Sequence, residues 1–142
     1  MCDCTRRTFI AAACSGSVGL ALWPDRAGAQ EAHARFIAEA QRMKAEAVAA
    51  GDQPFGAVVV RDGAIVGWGP SRVHSDRNLD AHAERVALRD AQRRLGADEL
   101  PGAVVYSTSR PCAACETALA SANIDRMYHG PSAVDAGRPG GR

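Results

Sequence analysis

The sequence predicts an α/β domain of three layers, with helices on both sides of a mixed sheet. Three observations predict it. Periodic and apolar stretches alternate in the order helix, hairpin, helix, strand, helix, strand. The valine-rich run 55–60 has the character of a strand buried on both faces, and Asp62-Gly63 turns it back into an antiparallel partner. The later strands are separated by helices, which requires parallel crossovers. At 142 residues, 46% of them hydrophobic, the chain holds material for one core. Aromatic residues make up only 5%, so aliphatic side chains must fill that core.

The first 29 residues stand apart from this pattern. Thr5-Arg6-Arg7-Thr8-Phe9-Ile10 carries paired arginines ahead of a mildly apolar stretch, 10–23. Ala27-Gly28-Ala29 then supplies small residues for cleavage before Gln30. This is the layout of a Tat-type signal peptide. The competing readings are an amphipathic surface segment or a membrane anchor. The apolar run is short and rich in Gly and Ser for a span. Cys14 has too few apolar residues before it for a lipoprotein site. The expected division is a leader over 1–29 and a domain over 30–142, exported to the periplasm or beyond, with no membrane contact once the leader is removed. Cys2, Cys4 and Cys14 would leave with the leader, and Cys112 and Cys115 remain. Of 17 basic and 16 acidic residues, fourteen of each remain. A domain so balanced offers no electrostatic footprint for nucleic acid.

The elements follow in order. A helix is expected over 31–50, with Ala34, Ile37, Ala38, Met43, Ala47 and Val48 near one face and Gly51 as its stop. Strand 55–60 and its return 64–68 form the hairpin, and 69–80 is a polar loop. A helix over 81–95 places His82 and Glu84 in its first turn, where backbone N–H groups point outward. Its arginines, Arg85, Arg89, Arg93 and Arg94, have the spacing of a solvated face. Gly96 ends it. A third strand covers 103–107. Pro111 is expected in the first turn of the next helix, which brings Cys112 and Cys115 onto one face. A fourth strand covers 124–128, and the remainder is a Gly-, Pro- and Ser-rich tail. No internal repeat is visible.

The chemistry concentrates in His82-Ala83-Glu84 and Pro111-Cys112-Ala113-Ala114-Cys115. One imidazole and two thiolates are good zinc ligands, and three protein ligands leave a fourth tetrahedral position open. Glu84 suits the role of acid/base beside that position. Alone, each residue has an ordinary explanation. A histidine on a helix is commonly structural, and a glutamate in a first turn commonly answers the helix dipole. Cys-x-x-Cys at a strand-to-helix junction also fits a thiol–disulfide oxidoreductase. That alternative leaves the His82/Glu84 pair unexplained.

H-x-E followed by P-C-x-x-C is the signature of zinc nucleobase deaminases. Over 31–137 the chain resembles the cytidine deaminase-like superfamily, in its guanine deaminase and tRNA adenosine deaminase branch. Besides the two motifs, the similarity includes residues 54–60 and 119–128. The resemblance implies a cytidine deaminase-like α/β/α fold with a short C-terminal part, and Zn2+ held by His82, Cys112 and Cys115. It implies hydrolytic deamination of a nucleobase or nucleoside, of guanine or cytosine type, with release of ammonia. Glu84 would carry the proton from water to the ring nitrogen and the leaving amine. Phe55 would wall the pocket, and backbone N–H groups near Ala83 and Cys112 would orient the ring. Ser71 stands eleven residues before His82, where the superfamily usually carries an Asn that contacts base or sugar. The resemblance makes it the corresponding substrate position, with the contact either lost or made through water because serine is shorter. Asn78-Leu79-Asp80 replaces the usual Asp-Pro-Thr, and Arg110 replaces the usual Glu before Pro-Cys. The resemblance also implies a homodimer, and the balanced charge with the expected compartment favours a small molecule over tRNA as substrate. The short tail leaves room for a further alternative, a zinc-stabilised domain without catalysis.

Overall fold

Residues 26–140 are described by the computed structural model of the protein. The leader's paired arginines and all of its apolar run, 10–23, lie outside the described residues. The elements are α1 (Arg26–Ala49), β1 (Gly56–Arg61), β2 (Ala64–Pro70), α2 (Ala83–Leu95), β3 (Val104–Ser107), α3 (Ala113–Ser121), β4 (Arg126–His129) and β5 (Val134–Gly137). The strands form one mixed sheet in the order β2-β1-β3-β4-β5. β1 is antiparallel to both β2 and β3, β3 is parallel to β4, and β4 is antiparallel to β5.

Alternation along the central strands sets the three layers. Val58, Val60 and Tyr106 face α1 and pack with Phe36, Ile37 and Met43. Ala57, Val59 and Val105 face the other way, against Ala83, Ala87, Leu88 and Ala91 of α2 and Leu119 of α3. The two helices that bear the sequence motifs therefore share one side of the sheet. On that side β2 is stripped to glycine. A Cβ at Gly69 would lie 2.1 Å from the Ala83 carbonyl oxygen, and one at Gly67 would lie 2.4 Å from that of Ala87. The missing side chains let α2 lie directly on the strand. At the free edge of β2, the backbone N–H of Trp68 is taken by the buried Asp90 carboxylate. Arg93 and Arg94 pair with the same carboxylate, and an occupied edge resists pairing with another chain.

The expected fold class holds, with differences at element ends. α1 starts at Arg26, four residues inside the segment assigned to the leader, and its buried face adds Phe36 and Ala40 while Ala34, Ala38 and Val48 are exposed. β2 runs two residues further than expected, to Pro70. α2 starts at Ala83 instead of 81, because His82 has extended backbone (φ −62°, ψ 152°) and is the N-cap. Likewise Cys112 is the N-cap of α3, so Pro111 precedes the helix and does not occupy its first turn. β5 lies in the stretch read as a tail. Its sequence, Val-Asp-Ala-Gly, has little strand propensity. It is secured from outside by pairing with β4 and by the Arg126–Asp135 ion pair. No helix among the described residues is long and apolar enough to cross a membrane.

Candidate functional site

The start of α2, the end of β3 and the start of α3 converge on one point. His82 and Cys112 are the N-caps of their helices, and neither side chain caps its own helix by a hydrogen bond. Both are free to meet. His82 Nδ1 lies 3.6 Å from Cys112 Sγ and 3.5 Å from Cys115 Sγ. The three ligand atoms lie within 4.8 Å of one another. Bond lengths of about 2.05 Å to nitrogen and 2.3 Å to sulfur give a tetrahedral N···S edge of about 3.6 Å. The two N···S separations match that edge, so the donor set fits a zinc ion in both chemistry and spacing. Both cysteines are free thiols, Cys112 exposed and Cys115 buried. Burial, and after it the neighbouring Glu84 carboxylate, push the Cys115 thiol up. A bound cation would offset both effects and favour the thiolate.

Glu84 sits in the first turn of α2 and is only 5% exposed. Its two oxygens have different partners. Oε1 accepts a 2.8 Å hydrogen bond from Ser107 Oγ, and Oε2 accepts a 3.7 Å contact from Cys115 Sγ. One oxygen is thus anchored to the sheet while the other faces the His/Cys/Cys group. Ser107 ends β3 on the α2/α3 side, fully buried. The sequence reading treated it only as the end of a strand, and no local pattern distinguishes it.

A cavity of about 170 Å³ opens over this point. His82, Glu84 and Cys112 form part of its lining, with Phe55, Gln53 and Ala83 on one segment pair and Ser109 and Arg110 on the β3–α3 loop. Phe55 is 38% exposed and belongs to this wall, not to the core. Ala83 also lines the cavity. Ser71 does not. It is 2% exposed, and its hydroxyl donates to Asp52 Oδ1 at 3.1 Å. A serine is too short to reach past that partner, so the expected substrate contact at this position gives way to a structural one.

Asp52 is the second residue that sequence reasoning missed. Its carboxylate accepts from the backbone N–H groups of Gln53, His74 and Ser75 and from the hydroxyls of Ser71 and Ser75. Burial opposes its ionised form, but the bonds from Ser75, Gln53 and His74 outweigh this and hold the carboxyl well below the usual range. Asp52 thereby fastens the loop after β2, which delivers His82, to the segment that carries Gln53 and Phe55. Its position just after the helix stop at Gly51 was the only available cue.

Residues 30–130 match the family described as the cytidine and deoxycytidylate deaminase zinc-binding region. The chain is 36% identical to the guanine deaminase of Bacillus subtilis over 109 residues, covering 76% of this chain and 70% of that protein. It is 40% identical to the tRNA-specific adenosine deaminase of Agrobacterium fabrum over 88 residues, covering 60% of this chain and 58% of that one. Among solved structures, the Bacillus subtilis guanine deaminase superposes with a TM-score of 0.65 at 36% identity, over 68% of this chain and 62% of that one. A structure from work on tRNA:A34 deaminases superposes with a TM-score of 0.66 at 35% identity, over 68% and 70%. The chain thus spans less than two thirds of the Agrobacterium enzyme and of the solved guanine deaminase.

Proposed function

The chain belongs to the family of the cytidine and deoxycytidylate deaminase zinc-binding region, and from that membership we propose that it is a zinc-dependent hydrolytic deaminase of a nucleobase or nucleoside, of guanine or cytosine type. The observation that carries this reading is the split coordination of Glu84, one oxygen held by Ser107 and the other turned to the His82/Cys112/Cys115 group. A general acid/base needs a fixed carboxylate with one oxygen open to the reacting proton.

His82 Nδ1 and the sulfurs of Cys112 and Cys115 would hold the zinc. When bound there, zinc supplies a Lewis acid that brings the pKa of a water toward neutrality. Glu84 Oε2 takes a proton from the attacking water and passes it to the ring nitrogen beside the amino-bearing carbon. That carbon becomes tetrahedral. Glu84 then moves the second water proton to the amine. The C–N bond breaks, ammonia leaves, and a carbonyl remains, so water and substrate account for every atom. Throughout, Ser107 keeps Oε1 in place. Phe55 packs on the ring, and the N–H of Ala83, in the first turn of α2, is a donor the helix does not use.

Two observations favour a small substrate over tRNA. The cavity has room for a ring, and the charges of residues 30–142 balance. Export by a Tat leader over 1–29 and assembly as a homodimer complete the proposal. The decisive experiment measures ammonia release by the zinc-loaded protein against guanine, cytosine, adenine and their nucleosides, with Glu84→Gln as the control. Release that depends on Glu84 supports the reading. Silence across the panel with zinc bound overturns the neutral base or nucleoside as substrate and leaves either a domain that binds metal without catalysis or an aminated ring outside the panel. A Cys112–Cys115 disulfide with no stoichiometric zinc would favour a thiol–disulfide oxidoreductase instead.

A further inference from the structure

The cavity over Glu84 takes a ring and little more. Its volume of about 170 Å³ falls below the roughly 300–1,000 Å³ of sites that enclose larger ligands. A nucleoside or nucleotide would seat its base inside and leave its other groups at the rim. Arg110 stands at that rim, lining the cavity next to Ser109 and Cys112. Its side chain is 53% exposed. Its ion-pair partner is Glu116, with Arg110 Nη2 3.9 Å from Glu116 Oε1. That separation is too long for a hydrogen bond. Among the described residues no hydrogen bond engages the guanidinium.

The charges of the cavity are therefore sorted by depth. The acidic group, Glu84, is buried at the reacting end. The exposed charge is the guanidinium, because the Glu116 side chain is only 9% exposed. A planar guanidinium with open paired N–H donors matches an oxyanion in two-pronged contact. We propose that Arg110 is a specificity-determining residue that selects an amino-substituted heterocycle carrying an oxyanion outside the ring, either a nucleotide phosphate or a ring carboxylate. This rests on the deaminase reading and adds to it the charge of the substrate. Arg110 touches no bond that changes. It holds the anionic group at the rim while the ring occupies the cavity.

The test compares ligands that differ only in the anion and are already deaminated, so none is consumed. The pairs are uridine 5′-monophosphate with uridine, xanthosine 5′-monophosphate with xanthosine, and uracil-5-carboxylate with uracil. Dissociation constants are measured by calorimetry on the zinc-loaded protein. In at least one pair the anionic member should bind about tenfold tighter, the scale of one charge-assisted hydrogen bond. The pair that shows it identifies phosphate or carboxylate as the source. Arg110→Gln should bring that ratio to near one, and Arg110→Lys should keep part of it, since charge survives without the fork. A merely structural role would weaken both members alike and leave the ratio intact. Equal constants within every pair, no measurable binding of any anionic member, or a ratio that survives Arg110→Gln overturns the proposal. The deaminase reading fails separately, on absent ammonia release from the neutral panel and from cytidine and guanosine 5′-monophosphates and cytosine-5-carboxylate alike, because these binding ratios involve no turnover.

Discussion

Ser107 Oγ donates a 2.8 Å hydrogen bond to Glu84 Oε1, joining the last residue of β3 to the first turn of α2. Both partners are buried, so neither has water to replace the other. The contact fixes which carboxylate oxygen remains for proton transfer. Ser107→Ala should lower kcat about tenfold by freeing Glu84 to rotate, with KM little changed. Zinc content should stay stoichiometric, because Ser107 touches no ligand atom. Glu84→Gln should lose more, about 10²- to 10⁴-fold, since it removes the proton carrier itself. Steady-state ammonia release and metal analysis on the two variants decide the matter. A Ser107→Ala protein as inactive as Glu84→Gln would mean that the serine does more than orient.

The metal group joins the first turns of two helices that pack on the same side of the sheet, so its occupancy should stiffen the domain. His82 comes from α2, and Cys112 and Cys115 come from α3. A ligand that binds only the folded state stabilises by about 2.7 kcal/mol at a hundredfold excess over its dissociation constant. Chelation should lower Tm, and added zinc should restore it in a concentration-dependent way. Cys115→Ser should abolish the zinc-dependent part of Tm. Thiol titration should find both cysteines protected when zinc is bound and reactive after chelation. A Tm indifferent to zinc would remove the metal from the fold.

The chemistry-bearing part of this site was legible because its residues sit at fixed local spacings. His82 and Glu84 are two apart, Cys112 and Cys115 three apart, and each pair opens a helix. Their supports were not legible, because support is a matter of long-range contact. Ser107 reaches Glu84 across 23 positions in the chain, and Asp52 gathers donors from 19 to 23 positions away. Nothing in the neighbours of either residue announces such a partner. Ser71 shows the converse. Counting residues placed it at a substrate contact, but the side chain's short reach and the Asp52 carboxylate beside it decide otherwise. The starts of α2 and α3 were misplaced because a residue that caps and a residue in the first turn look alike in sequence. β5 was missed because tertiary pairing, not propensity, makes it a strand.

Asp52 should leave a signature in the acid limb of stability. Its folded-state pKa is depressed, so between the unfolded value near 3.9 and the folded value the native state binds fewer protons than the unfolded one. Stability is then present above the unfolded pKa and is lost as pH falls toward the folded value. Asp90 and Asp135 are lowered as well, so they share the same slope. Asp52→Asn should flatten that slope without abolishing it and should lower stability at pH 7. Urea unfolding at a series of pH values from about 6 to 3 measures this. An unchanged slope would show that the five bonds to Asp52 also persist in the unfolded ensemble or that they do not form in solution.

The glycines of β2 should be coupled to the metal group through the helix they admit. A Cβ at Gly69 would lie 2.1 Å from the Ala83 carbonyl oxygen and 2.4 Å from the Ala87 backbone nitrogen, neither of which can swing aside. Gly69→Ala must therefore push the first turns of α2 off the sheet, at a cost of about 1–3 kcal/mol for overpacking. That turn holds Glu84 and adjoins His82, so zinc affinity should fall together with stability. Gly63→Ala provides the contrast. Gly63 has φ of +74° in the β1–β2 turn with nothing within 4 Å of the added Cβ. Its cost is backbone strain of about 1 kcal/mol, remote from α2. Urea unfolding and zinc titration on both variants separate the two effects. Stability should fall in each, but zinc affinity only for Gly69→Ala. Equal zinc affinity in the two proteins would show that α2 shifts as a rigid body without carrying His82 away from the cysteines.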